Sequence, residues 1–122
     1  MKDTLTWIGI FAGGGFGSVI RFLLSVGLRR SGLHIPMGTL VANLIAVIIM
    51  VIFTKIGEQT NLGQGLRLAI FTGFCGGLST FSTFSVETAM MMRNGQMLWA
   101  LVNILVSVIL CVGVLYFSFR KA

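Results

Sequence analysis

The chain has 122 residues, of which 56% are hydrophobic and 10% are charged. Soluble domains carry about 25% charged residues, so a soluble globular class is excluded, and no stretch is polar enough for a separate soluble domain. The net charge of +6 does not indicate nucleic acid. The basic residues sit at the ends of apolar segments, where they meet lipid headgroups, and not on one amphipathic face.

A membrane span needs about 20 mostly apolar residues. Four candidates occur in chain order: Leu5–Leu28, Met37–Thr54, Leu66–Met92 and Met97–Phe119. Residues 1–122 therefore read as a single four-helix transmembrane domain with a mean hydropathy of +0.98.

The first span has the outline of a signal peptide, with Lys2 ahead of an apolar run. The apolar character continues through "SVIRFLLSVG", and three more such segments follow, so it is a retained helix. Gly9, Gly13 and Gly17 recur every four residues on one face, the small-xxx-small pattern of close helix packing. Arg21 lies within the span. Its long stem allows it to snorkel to an interface, and its charge can draw anions into a vestibule; the two roles are compatible.

The connection "RRSGLHIP" ends at Pro36, whose missing N–H suits the first turn of the next helix. His34, in this loop, reads as a solvated side chain, with no second histidine or nearby cysteine to make a metal site. In the second span, Asn43 offers two amide donors to an anion, or a hydrogen bond to a neighbouring helix. The connection "KIGEQTNLGQG" leads to the third span, and "RNGQ" to the fourth. There Asn103, Ser107 and Cys111 recur every four residues and share a helix face, as a wet track or as small packing residues. Cys75 and Cys111 form no CxxC pair and read as small buried thiols.

An even number of spans puts both termini on one side. That side carries Lys2, Lys55, Arg67, Arg120 and Lys121; the other carries Arg29, Arg30 and Arg93. Five against three is a weak orienting bias, which permits insertion in both senses. Four short helices also enclose a polar path poorly, and a symmetric dimer is the simplest remedy.

The third span is the anomalous one. Its middle reads "GGLSTFSTFS", residues 76–85. Each glycine weakens a helix by about 1 kcal/mol relative to alanine, and the hydroxyls compete for backbone groups. The expected structure is two half-helices joined by irregular backbone near the midplane. Such backbone survives only when buried in protein or lining a wet cavity. Phe81 and Phe84 are three apart and share a face if the second half is helical. Their ring edges are positive and suit an anion's path, or the pair is ordinary packing. Ser82, Thr83 and Ser85 add hydroxyl donors, and Glu87 follows as a buried proton or cation site or an interfacial carboxylate.

The runs "GGGFGSVIRF" (13–22), "GTLVANLIAV" (38–47) and "TGFCGGLSTFSTFSVE" (72–87) resemble the small bacterial fluoride channels, the Fluc or CrcB family. The resemblance covers essentially the whole chain in order, length and span count. It implies an antiparallel, dual-topology homodimer with four helices per subunit, the third broken. It implies two pores, each lined by residues of both chains. It places the paired phenylalanines on Phe81 and Phe84 and the pore asparagine on Asn43. Ser82, Thr83 and Glu87 match the polar residues after the break, and Arg21 matches an arginine near a vestibule. It also implies one structural sodium ion at the dimer centre, held by the main-chain carbonyls of Gly77 and Thr80. The final helix departs from the family pattern, which carries hydroxyls or a tyrosine where Asn103 and Cys111 stand; Asn103 and Ser107 are assigned to the pore.

The implied activity is passive export of fluoride across the cytoplasmic membrane, with no enzymatic step and no nucleic-acid partner. No "GxxxxGK[ST]" nucleotide loop occurs. A proton-coupled drug exporter of similar size needs an acid in its first helix, where this chain has Arg21 and no carboxylate. A non-conducting packing subunit is the remaining alternative; it predicts no flux from the purified protein.

Overall fold

A computed structural model describes residues 3–29 and 32–120. Of the charges weighed for orientation, Lys2, Arg30 and Lys121 lie outside the described residues.

The described chain is all-helical, and four helical segments are long and apolar enough to cross a membrane. Helix α1 is Thr4–Gly27 and α2 is Met37–Gln59. The third segment begins with α3, which runs Gln64–Leu68, continues through π-helical turns at Ala69–Cys75 and closes with an α-turn at Gly76–Leu78. Helix α4 is Ser82–Arg93 and α5 is Met97–Arg120. At about 1.5 Å per residue, the 24 residues of α1 reach roughly 36 Å, enough for a tilted crossing. The outer faces suit lipid: Phe11 is 85% exposed and Leu5 79%. The chain is a multi-pass membrane protein.

Two bounds differ from the sequence reading. Helix α2 continues past Thr54 to Gln59 and the third segment begins at Gln64, so "KIGEQ" of the connection "KIGEQTNLGQG" is helical and the true link is 60–63. Thr60 ends it, its N–H and its hydroxyl both bonding the carbonyl of Ile56, at 2.9 and 2.8 Å. The π-helical turns carried no signal in hydropathy or composition; long π runs are rare and hard to read from a single sequence.

The tight packing lies between α1 and the turns at 69–78 of the third segment. A Cβ on Gly13 would stand 2.5 Å from the Ala69 carbonyl oxygen and 2.9 Å from the Phe74 nitrogen. One on Gly17 would overlap the Phe74 carbonyl oxygen, and one on Gly77 the Gly14 carbonyl oxygen. Glycine on both sides lets the two backbones touch, as the glycine spacing of the first span implies. Alanine and thiol side chains extend the core: Ala42, Ala46, Cys75 and Leu78 are buried together, with Leu24, Ile45, Ile49 and Phe74 against them.

Two turns set the remaining angles. Gly38 at the start of α2 lies against Ser25, where a Cβ would come within 2.6 Å of its Cα. Between α4 and α5, Gly95 takes φ +79°. Its N–H bonds the Met92 carbonyl at 3.1 Å, and the Gln96 N–H bonds that of Met91 at 2.8 Å. This is a Schellman cap, which a glycine adopts without strain. The His34 ring stacks on Trp99 with centroids 4.4 Å apart, tying the α1–α2 link to the start of α5.

Candidate functional site

Helical geometry stops at Leu78 and resumes at Ser82. Ser79 is extended, with φ −79° and ψ 154°. A gap of this kind leaves carbonyls of one half and N–H groups of the other without helical partners. Side chains from three directions take them up.

From α1, Arg21 Nε donates to the Gly77 carbonyl at 3.0 Å. In a continuing helix that oxygen would accept from the Phe81 N–H. The guanidinium therefore meets the C-terminal end of the helical turn Gly76–Leu78, where the helix dipole is negative. From α2, Asn43 brackets Thr80: its Oδ1 accepts from the Thr80 N–H at 2.6 Å and its Nδ2 donates to the Thr80 carbonyl at 3.2 Å. Within the gap, the Thr80 hydroxyl accepts from the Thr83 N–H at 3.1 Å, capping α4. The Ser79 hydroxyl returns to the Cys75 carbonyl at 2.7 Å.

Beside this gap lies a groove of about 310 Å³, lined by Asn43, Val47, Ser79, Thr80, Phe81, Phe84, Ser107, Val108, Cys111 and Val112. The Phe81 and Phe84 rings stand 5.8 Å apart, tilted by 39°. Phe84 is half-buried, while Phe81 is 80% exposed on the open side of the groove.

A second cavity, of about 450 Å³, opens under the α1–α2 link and is lined in part by Arg29, His34, Thr39 and Glu87. Thr39 donates its hydroxyl to Glu87 Oε1 at 2.9 Å, while Glu87 Oε2 is buried with no hydrogen-bond partner among the described residues. Thr39 and Asn43 are one turn apart on α2, as are Phe84 and Glu87 on α4, so the two cavities are neighbours along the same pair of helices.

Of the residues assigned to a pore, Phe81, Phe84, Asn43 and Ser107 line the groove together. Ser82, Thr83 and Asn103 do not line it. The Ser82 hydroxyl lies 3.3 Å from that of Thr80 on an exposed surface. Asn103 is 1% exposed and donates to the Thr88 hydroxyl at 3.0 Å, joining α5 to α4. Thr88 in turn donates to the Phe84 carbonyl at 2.7 Å, so this buried chain supports the phenylalanine from behind. Val47, Val108 and Val112 complete the groove walls without having been singled out. Val47 was legible as the residue one turn beyond Asn43; Val108 and Val112 follow Ser107 and Cys111 directly.

The arrangement offers amide and hydroxyl donors, two aromatic rings and the N-terminal end of α4, on apolar walls and with no fixed charge in the lining. That chemistry suits a small anion passing through weak sites.

Comparison with known proteins agrees. The family model for CrcB-like proteins (Camphor Resistance, CrcB) matches residues 8–119. The chain is 48% identical over 105 residues to the fluoride-specific ion channel FluC of Escherichia coli strain K12, covering 84% of this chain and 81% of that protein. It is 43% identical over 104 residues to fluoride-specific ion channel FluC 1 of Yersinia pseudotuberculosis, covering 84% and 82%. It is also 43% identical over 101 residues to FluC of Serratia proteamaculans, covering 82% and 80%. With the family model matching nearly its full length and relatives at 43–48% identity, the chain belongs to the CrcB family.

Proposed function

We propose that this chain forms a fluoride-selective channel of the bacterial inner membrane, which exports cytoplasmic fluoride passively and lowers its toxicity. The observation that carries the reading is the joining of Phe81, Phe84 and Asn43 in one groove at the interruption of the third span. The similarity to the FluC relatives, which are fluoride-specific ion channels, supports the choice of ion.

Fluoride is small and strongly hydrated, so a path for it must replace water's donors. The Ser107 hydroxyl, the Asn43 amide, the ring edges of Phe81 and Phe84 and the N-terminal end of α4 are such groups. None carries a full charge, so the ion is not trapped, and several weak sites permit both capture and release. Neutral HF entering an acid-stressed cell ionises in the more alkaline interior. The membrane potential then drives the anion out, with about 2.3 kcal/mol per charge at 100 mV.

The second subunit in this reading is a copy of the same chain, inserted upside down. One observation supports a copy: the groove has one open side, with Phe81 80% exposed there. The near balance of charge between the two ends supports dual topology. The third span acts as a broken helix, its two dipole ends meeting at the gap.

The structural sodium ion is assigned to the main-chain carbonyls of Gly77 and Thr80. The donor set fits. Gly77 precedes the gap and Thr80 lies within it, both oxygens are uncharged hard donors, and each accepts one side-chain hydrogen bond, leaving a second lone pair. No cluster of three or more His, Cys, Asp or Glu side chains occurs among the described residues. Two oxygens from one chain are too few for a hard cation; two copies supply four. When bound, the ion would supply positive charge beside the C-terminal end of the turn Gly76–Leu78, with the carbonyls of Gly77 and Thr80 holding it.

The test is release of fluoride from vesicles loaded with it, read by a fluoride electrode, with chloride-loaded vesicles as control. The channel reading predicts fast fluoride release and chloride retention. Absence of release in both supports a packing subunit, and proton-driven cation efflux would indicate an exporter.

A further inference from the structure

Arg21 brings a permanent positive charge to an oxygen where, on the cation reading proposed above, sodium is also held. A guanidinium bonded to a carbonyl acts on such a cation in two opposite ways. It helps if it fixes the direction of the oxygen. It hinders by repelling the ion and by drawing electron density from the shared oxygen.

The geometry decides between the two. Gly77 sits in the helical turn Gly76–Leu78. Its Cα lies so close to the Gly14 main chain that a Cβ would meet both the Gly14 carbonyl carbon and its Cα at 3.0 Å. The Gly77 peptide is therefore held by its own helix and by the backbone of α1, without help from a side chain. Orientation is already provided, and repulsion remains. Two unit charges a few ångströms apart at an effective dielectric of about 20 repel strongly enough to change an affinity more than tenfold. For a divalent ion the repulsion doubles.

We propose that Arg21 is a specificity residue of the cation site: it weakens cation binding at the gap and excludes divalent ions, leaving a site that only a monovalent cation fills. Asn43, which contacts the other carbonyl, is neutral and has no such effect. Among the described residues Arg21 is therefore the one charged side chain hydrogen-bonded to either oxygen.

The test is thermal unfolding of the purified, assembled protein, titrated with sodium chloride against choline chloride, and separately with magnesium chloride in choline. Arg21→Gln keeps an N–H donor and removes the charge. Its sodium concentration for half-maximal stabilisation is expected to fall about tenfold relative to wild type, and magnesium is expected to stabilise it while leaving wild type unaffected. Arg21→Lys keeps the charge and is expected to stay within about twofold of wild type and indifferent to magnesium. An Arg21→Gln protein with an unchanged or weaker sodium response overturns the inference, as does failure of that variant to assemble at saturating sodium. An Arg21→Lys protein that tightens like Arg21→Gln overturns it too. A wild-type protein indifferent to sodium removes the cation reading itself, and this inference with it.

Discussion

The two halves of the third membrane segment are built by different rules. Residues 64–78 press on α1 backbone to backbone, with Gly13, Gly17, Gly73 and Gly77 at the contacts. Residues 82–93 are held by side chains: Thr83 by Thr80, Thr88 by Asn103, Glu87 by Thr39. The first half has no room for change and little polarity. The second half has hydroxyls, amides and an open groove beside it. The first half is the scaffold, and the second presents the chemistry.

The contrast can be broken from either side. The largest effect is expected at the glycine contact. Gly17→Leu would drive a side chain into the Phe74 carbonyl and the Leu78 nitrogen. Backbone must separate, which costs more than the usual 1–3 kcal/mol of overpacking. Size-exclusion chromatography should show no assembled protein, and flux should vanish with it.

At the gap that leads into the second half, a variant of the α2 residue bracketing Thr80 should lose function before it loses the fold. Asn43→Asp retains an acceptor for the Thr80 N–H but cannot donate to the Thr80 carbonyl. It also sets a negative charge in the groove. Fluoride efflux should fall by about a hundredfold, the scale of about 2–3 kcal/mol for losing the amide donor to the anion, with an unchanged elution profile.

The smallest effect is expected behind the groove. Thr88→Val removes the partner of the buried Asn103 amide. The unpaired amide should cost about 1–3 kcal/mol of stability, read as a lower melting temperature. Fluoride flux should change only a few-fold, because Asn103 does not line the groove. A flux loss as large as that of Asn43→Asp would show that Asn103 belongs to the conducting path after all.

Much of this was legible in the chain. Apolar length and charge placement yield the four spans. The glycine spacing of the first span marks its packed face, because only glycine allows such approach. Phe81, Phe84, Asn43 and Ser107 were identified from residue type, spacing and family resemblance. What escaped depended on direction in space. Arg21 was assigned to a vestibule, and spacing along one helix could not reveal that its Nε meets the Gly77 carbonyl on another. Ser107 faces the groove while Asn103, one turn away, points into the contact with α4. A period of four puts both on one face but does not say where that face turns from groove to core. The π turns at Ala69–Cys75 change no residue type, so no pattern of apolar spacing announces them.

The central claim is that fluoride passes the paired rings beside the gap. Its most direct test is the rate of fluoride release from vesicles carrying Phe81→Ile or Phe84→Ile, with assembly confirmed by chromatography and chloride as control. Each ring lost should slow release about tenfold or more, as expected if a ring–anion contact is worth about 1.4 kcal/mol. Release at the wild-type rate in both variants would contradict the account.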